Sequence, residues 1–129
     1  MVKTYGLTHV ALAVRDAEIS SRFYQKVFGA VETWRGEGWA QVETPGTRDV
    51  LVFTEGEPRA GKAGGIQHFG FRLVDPGDIG VAAQAVEEAG GTLRSRGEFC
   101  PGEPYLFFSD PDGYEVEIWY EPERPAPSL

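Results

Sequence analysis

Residues 7–14 alternate in character. Val10, Leu12 and Val14 fall on one side and His9, Ala11 and Ala13 on the other, the two-residue period of a strand with one covered face. Asp16 follows, and then Ile19, Phe23, Tyr24 and Val27 recur at helical spacing up to Phe28, with Gly29 placed as a stop. Short apolar or alternating runs at 31–35, 39–44 and 49–54 predict three further strands, so the first half reads βαβββ.

The stretch 55–65, rich in Gly, Pro and charge, reads as a connector. After it the order returns. A strand over 66–74 leads through Asp75, Pro76 and Gly77 into a helix over 79–89, which Gly90 and Gly91 end. Strands over 92–95, 105–109 and 114–120 follow. Laying one half on the other without a gap pairs Leu7 with Ile66, His9 with His68 and Asp16 with Asp75, which implies a duplicated half-domain. Neither half has a second layer of its own to cover its sheet, so the halves must pair, within one chain or between two. We divide the chain into modules at 1–56 and 65–121, with a proline-containing, frayed tail at 122–129.

At 129 residues the chain makes one domain that buries roughly two thirds of its unfolded surface without needing a disulfide. The single cysteine, Cys100, forms no internal bridge, and neither a leader nor a long apolar run is evident, which points to a soluble cytoplasmic protein without a membrane partner. A net charge of −8 with no Lys/Arg cluster argues against nucleic acid as a partner.

The chemistry concentrates on the less bulky strand faces. His9 shares its face with Ala11 and Ala13. His68 shares its face with Gly70 and Arg72, while Phe69, Phe71 and Leu73 point the other way. Small residues beside each histidine leave a hollow. These are the only two histidines, and they stand at equivalent repeat positions, which marks them as candidate metal ligands. The last strand adds Glu115, Glu117 and Trp119 on one face, and either glutamate could complete a two-imidazole, one-carboxylate set. Arg72 could hold an anionic substrate group or orient Glu117. Trp39, Gln41 and Glu43 could wall the pocket. The run Asp110-Pro111-Asp112-Gly113 is a tight turn that fixes where the last strand emerges. Cys100 has no neighbouring histidine to activate it and reads as a loop thiol without a role.

LTHVALAVRD, SRFYQKVFGA, GGIQHFGFRL and FFSDPDGYEVEIW together make the chain resemble the vicinal oxygen chelate superfamily, over nearly its whole length. That superfamily includes glyoxalases, extradiol dioxygenases, fosfomycin and bleomycin resistance proteins and an acyl-CoA epimerase. The resemblance implies an α+β fold in which two βαβββ modules form a cup-shaped mixed sheet with the helices on its outer face, commonly completed as a homodimer. It also implies a divalent ion (Zn, Ni, Co, Mn or Fe) held by His9, His68 and Glu117, with Glu117 and Arg72 serving catalysis on a small molecule with neighbouring oxygens. In many relatives the ligands of one site come from two chains.

Two departures bear on the reaction. The fourth ligand of glyoxalase I proteins and the epimerase falls at Val52, which cannot bind a metal. The substrate-contacting tyrosine of extradiol dioxygenases and fosfomycin transferases falls at Phe107, with Tyr105 two residues earlier as a possible substitute. The reading is therefore a metal-dependent lyase or isomerase, ahead of an Fe(II) extradiol-type dioxygenase or a metal-free binding protein of the bleomycin-resistance kind.

Overall fold

Helix α1 (Ala17–Phe28) begins where Asp16 accepts a hydrogen bond from the Ile19 amide and ends at Gly29, whose left-handed conformation turns the chain out of the helix. It follows β1 (Val10–Ala13) and precedes β2 (Val31–Gly36), β3 (Trp39–Glu43) and β4 (Leu51–Thr54). The second half runs β5 (Phe69–Arg72), a 3-10 turn over Pro76–Asp78, α2 (Ile79–Glu88), β6 (Thr92–Glu98), β7 (Pro104–Ser109) and β8 (Glu115–Trp119). This computed structural model describes residues 1, 3, 5 and 7–128; residues 2, 4 and 6 of the first module and residue 129 of the tail lie outside the described residues.

The strands form two four-stranded mixed sheets in the orders β1-β4-β3-β2 and β5-β8-β7-β6. The architecture is the expected α+β one, and neither sheet closes on itself. In each, the first strand lies parallel to the last and the other neighbours are antiparallel. The equivalence of the halves is one of register: Ala11 faces Val52 in one sheet and Gly70 faces Glu117 in the other.

Alternation sorts the faces. Leu12, Val14, Ala40, Val42 and Phe53 bury one side of the first sheet, and Leu106, Phe108, Val116 and Ile118 bury one side of the second, in one continuous core. Helix α1 joins the two. Phe28 stacks on Phe71 of β5 at 3.8 Å, Tyr24 stacks on Phe53 of β4 at 5.4 Å, and Phe23 lies 5.9 Å from Phe108 of β7. Within one chain the sheets therefore back onto each other through the helices, and their opposite faces are left open.

The turn at 110–113 is more than a turn. Asp110 and Asp112 are 5% and 9% exposed. One oxygen of Asp110 accepts the amides of Asp112, Gly113 and Tyr114, and the other accepts the Tyr24 hydroxyl of α1 at 2.8 Å. Asp112 accepts from the Arg15 amide and guanidinium and from Ser20, and the Tyr114 hydroxyl donates to the Ala13 carbonyl. Carboxylates of the second half thus latch it to α1 and to Arg15 just ahead of α1, and Tyr114 ties it to β1. Burial raises the Asp110 pKa, against the hydrogen bonds from Tyr24 and the turn amides, and burial beside Asp110 holds the Tyr24 hydroxyl well above its usual range.

The connector is fitted against this latch. Gly61 has φ +81°, and a Cβ there would overlap the Asp112 carbonyl oxygen. Gly61→Ala is expected to lower unfolding free energy by about 2–4 kcal/mol through left-handed strain plus displacement of the latch, measurable by urea titration.

Several boundaries differ from the sequence expectation. β1 begins at Val10 and β5 at Phe69 because, among the described residues, their partners β4 and β8 supply facing residues from Leu51 and Val116. β6 extends to Glu98 because it stays paired with β7 as far as Pro104. Among the described residues no helix is long and apolar enough to cross a membrane.

Candidate metal centre

The open face of the second sheet carries Gly70 and Arg72 from β5, Glu115, Glu117 and Trp119 from β8, and Tyr105 and Phe107 from β7. Glu117 stands at its middle, facing Gly70 on one side and Phe107 on the other. A Cβ at Gly70 would lie 3.4 Å from Glu117 Oε1, so the glycine leaves the carboxylate its room. The His68 ring meets Phe107 edge-on at 5.0 Å. Burial raises the Glu117 pKa, and attraction to His68 offsets part of that rise.

Among the described residues the Glu117 carboxylate has no hydrogen-bond or ion-pair partner. A half-buried anion beside an imidazole, on an apolar floor and with no cation of its own, is the local chemistry that a divalent ion satisfies. Glu115 is exposed and lines, with His68 and Tyr114, a cleft of about 440 Å³ between the free edges of β1 and β5.

His9 is not brought to this pair. It is exposed just before β1, its Nδ1 lies 2.7 Å from the Thr8 hydroxyl, and among the described residues no three His, Cys, Asp or Glu side chains gather as a ligand group. One chain therefore sets His68 and Glu117 about Phe107 and carries His9 apart from them, just ahead of β1. Arg72 is exposed opposite Trp119, with no hydrogen bond to Glu117 among the described residues. Val52 occupies on β4 the place that Glu117 has on β8, so the first sheet offers an apolar side chain there.

Trp39, Gln41 and Glu43 lie on the open face of the first sheet, because Ala40 and Val42 between them are buried. Cys100 is exposed, and the Glu103 carboxylate pushes its thiol pKa up, away from a reactive thiolate. Two features were missed in the sequence: the buried carboxylates of the latch, and the indole N–H of Trp119, which is buried without an acceptor among the described residues. The first had a signal in two aspartates flanking a proline. The second had none.

The model of the Glyoxalase/Bleomycin resistance protein/Dioxygenase superfamily matches residues 6–118. A probable trivalent organoarsenical cleaving enzyme of Bacillus subtilis (strain 168) is 31% identical over 117 residues, covering 87% of this chain and 77% of that protein. A glyoxylase/bleomycin resistance protein/dioxygenase domain from Frankia sp. EAN1pec superposes with a TM-score of 0.72 at 27% identity, covering 92% of this chain and 98% of the other. A variant of the fosfomycin resistance protein FosX from Listeria monocytogenes, in complex with Mn(II) and 1S,2S-dihydroxypropylphosphonic acid, superposes with a TM-score of 0.73 at 18% identity over 90% of each chain. By the extent of the family match and by these relatives, the chain belongs to the Glyoxalase/Bleomycin resistance protein/Dioxygenase superfamily.

Proposed function

We propose that this protein is a homodimeric, divalent-metal-dependent enzyme of lyase or isomerase type, acting on a small molecule with neighbouring oxygens. The observation that carries the reading is that His68 packs against Phe107, the cross-strand neighbour of Glu117, with both half-buried and no hydrogen-bond or ion-pair partner on the carboxylate among the described residues. His68 and Glu117 of one chain and His9 of the partner would hold the ion, the open face of the first sheet closing over that of the second. When bound, the ion supplies Lewis-acid polarisation of two substrate oxygens. Phe107 keeps water from one side of the carboxylate, and Arg72 takes an anionic group of the substrate.

Support comes from three directions. β1 and β5 are edge strands, each hydrogen-bonded in its sheet on one side only, as strands awaiting a partner are. The FosX relative is a complex with Mn(II) and a vicinal diol, and the Bacillus relative is named for a cleavage reaction. Phe107 stands where a dioxygenase tyrosine would be, which favours oxygen-independent turnover.

Mixing two defective chains tests the shared site. His9→Ala and Glu117→Gln homodimers should each lose the ion. After co-refolding, the mixed dimers regain one intact site, so the sample should hold about a quarter of wild-type metal. No recovery in a sample shown by native mass spectrometry to contain mixed dimers would end the shared-site reading, and stoichiometric metal in either parent variant would end the ligand assignment. Oxygen uptake coupled to Fe(II) would move the reaction to the dioxygenase class.

A further inference from the structure

Each open face carries a stacked aromatic pair, and the inner rings, Trp39 and Tyr105, occupy equivalent places in the two sheets. In the first sheet Gly36 faces Trp39, and Trp34 lies flat on Trp39 at 3.8 Å and 18°. In the second sheet Gly97 faces Tyr105, and Phe99 lies flat on Tyr105 at 4.1 Å and 14°. Trp39 in turn faces Thr54 of β4, as Tyr105 faces Trp119 of β8. Glycine makes both platforms: a Cβ at Gly97 would stand 3.0 Å from the Tyr105 hydroxyl oxygen, and one at Gly36 would overlap the Trp34 ring. The outer rings, Trp34 and Phe99, remain 48% and 52% exposed, so core packing does not account for them.

Two polar groups adjoin the second platform and lack partners among the described residues. One is the Trp119 indole N–H, buried beneath Phe99, whose ring meets Trp119 edge-on at 5.7 Å. Such a donor is unfavourable when left unpaired, and folded proteins keep few of them. The other is the Arg72 guanidinium on the adjacent strand, in register with Trp119. From the Glu117 row to the Trp119 row is two residues along β8, about 6.8 Å, which a single six-membered ring with its substituents spans.

From this arrangement we infer that the substrate is a flat aromatic anion. Its ring lies on the Tyr105–Phe99 platform and its charged group pairs with Arg72. The Trp34–Trp39 platform covers the opposite face of the ring when the two open faces meet. The inference builds on the proposed function for the position of the reacting oxygens beside His68 and Glu117, but ring recognition itself does not require the metal.

Calorimetric titration with benzoate, cyclohexanecarboxylate and benzamide, on protein as purified and after chelation, separates the two readings. Benzoate is expected to bind at least about tenfold more tightly than the saturated acid or the neutral amide, the ratio that about 1.4 kcal/mol of ring and charge recognition gives. Phe99→Ala and Tyr105→Ala should erase the preference over the saturated acid, and Arg72→Gln the preference over the amide. Phe99 is half-exposed, so its variant keeps the fold, which the melting curve verifies. Equal affinity for all three probes, or a preference that survives both aromatic truncations, overturns the proposal. So does dissociation of the dimer in Phe99→Ala, which would assign the platform to subunit contact. Ring preference in protein that takes up no divalent ion when one is supplied would sink the metal reading alone.

Discussion

Glu117→Gln should lower the affinity for the bound divalent ion by at least about 100-fold while leaving the fold intact, a loss no smaller than that seen on removing outer partners of metal sites. The substitution keeps the size and shape of the side chain and removes only its charge. Because the carboxylate is half-buried without a protein partner, folding owes it no ion pair, and the apo variant should melt at or above the wild-type temperature. The two readouts together discriminate: metal analysis by plasma mass spectrometry with a chelator-competition titration, and a melting curve on chelated protein. A ligand gives low metal with an unchanged apo melt, whereas a merely structural glutamate gives unchanged metal. Retention of stoichiometric ion would remove the basis of the proposed chemistry.

Asp110→Ala is expected to cost about 3–5 kcal/mol of unfolding free energy, the range for stripping several buried donors of their acceptor at once. The change orphans the Tyr24 hydroxyl and the amides of Asp112, Gly113 and Tyr114. Urea denaturation measures it, and a loss below 1 kcal/mol would mean the latch does not hold the halves together. Asp110→Asn should lose far less, since its remaining oxygen still accepts the three amides and its amide group can donate to the Tyr24 oxygen. The pH dependence then has a definite sign. Burial raises the Asp110 pKa above 3.8, so the folded state takes up its proton more readily than the unfolded one. Its contribution is therefore most favourable below that ordinary value and declines as pH rises through the raised one. The stability of Asp110→Asn relative to wild type should accordingly improve over that window, and an opposite slope would show that hydrogen bonds to the carboxylate outweigh its desolvation.

Much of the fold was legible because the two halves carry different periods in the same order. Leu12 and Val14, Ala40 and Val42, and Val116 and Ile118 announce covered faces by alternation alone, and Asp16 and Gly29 bracket α1 as their chemistry requires. His68 and Glu117 could be matched to one face because strand geometry decides which side chains share a side. What could not be read was decided by pairing across long sequence distances. Alternation continues through 7–9, yet β1 ends where β4 stops facing it, and Asp49, expected in a strand, instead accepts the Thr44 amide in a turn. Nor does any local pattern reveal that α1 packs on both sheets, which leaves His9 beside the first sheet and His68 and Glu117 with the second.

The back-to-back packing of the sheets has a consequence for assembly. In the proposed assembly the first face of one copy meets the second face of another, and contacts of that head-to-tail kind either close into a ring, two copies in the proposed dimer, or keep adding into a filament. Which occurs is set by the angle between the two faces, and the clasp of Asp110 and Asp112 on α1 and Arg15 holds that angle. Loosening the clasp therefore threatens more than melting temperature: a chain that still folds but splays its halves would trade a finite particle for an open-ended fibre.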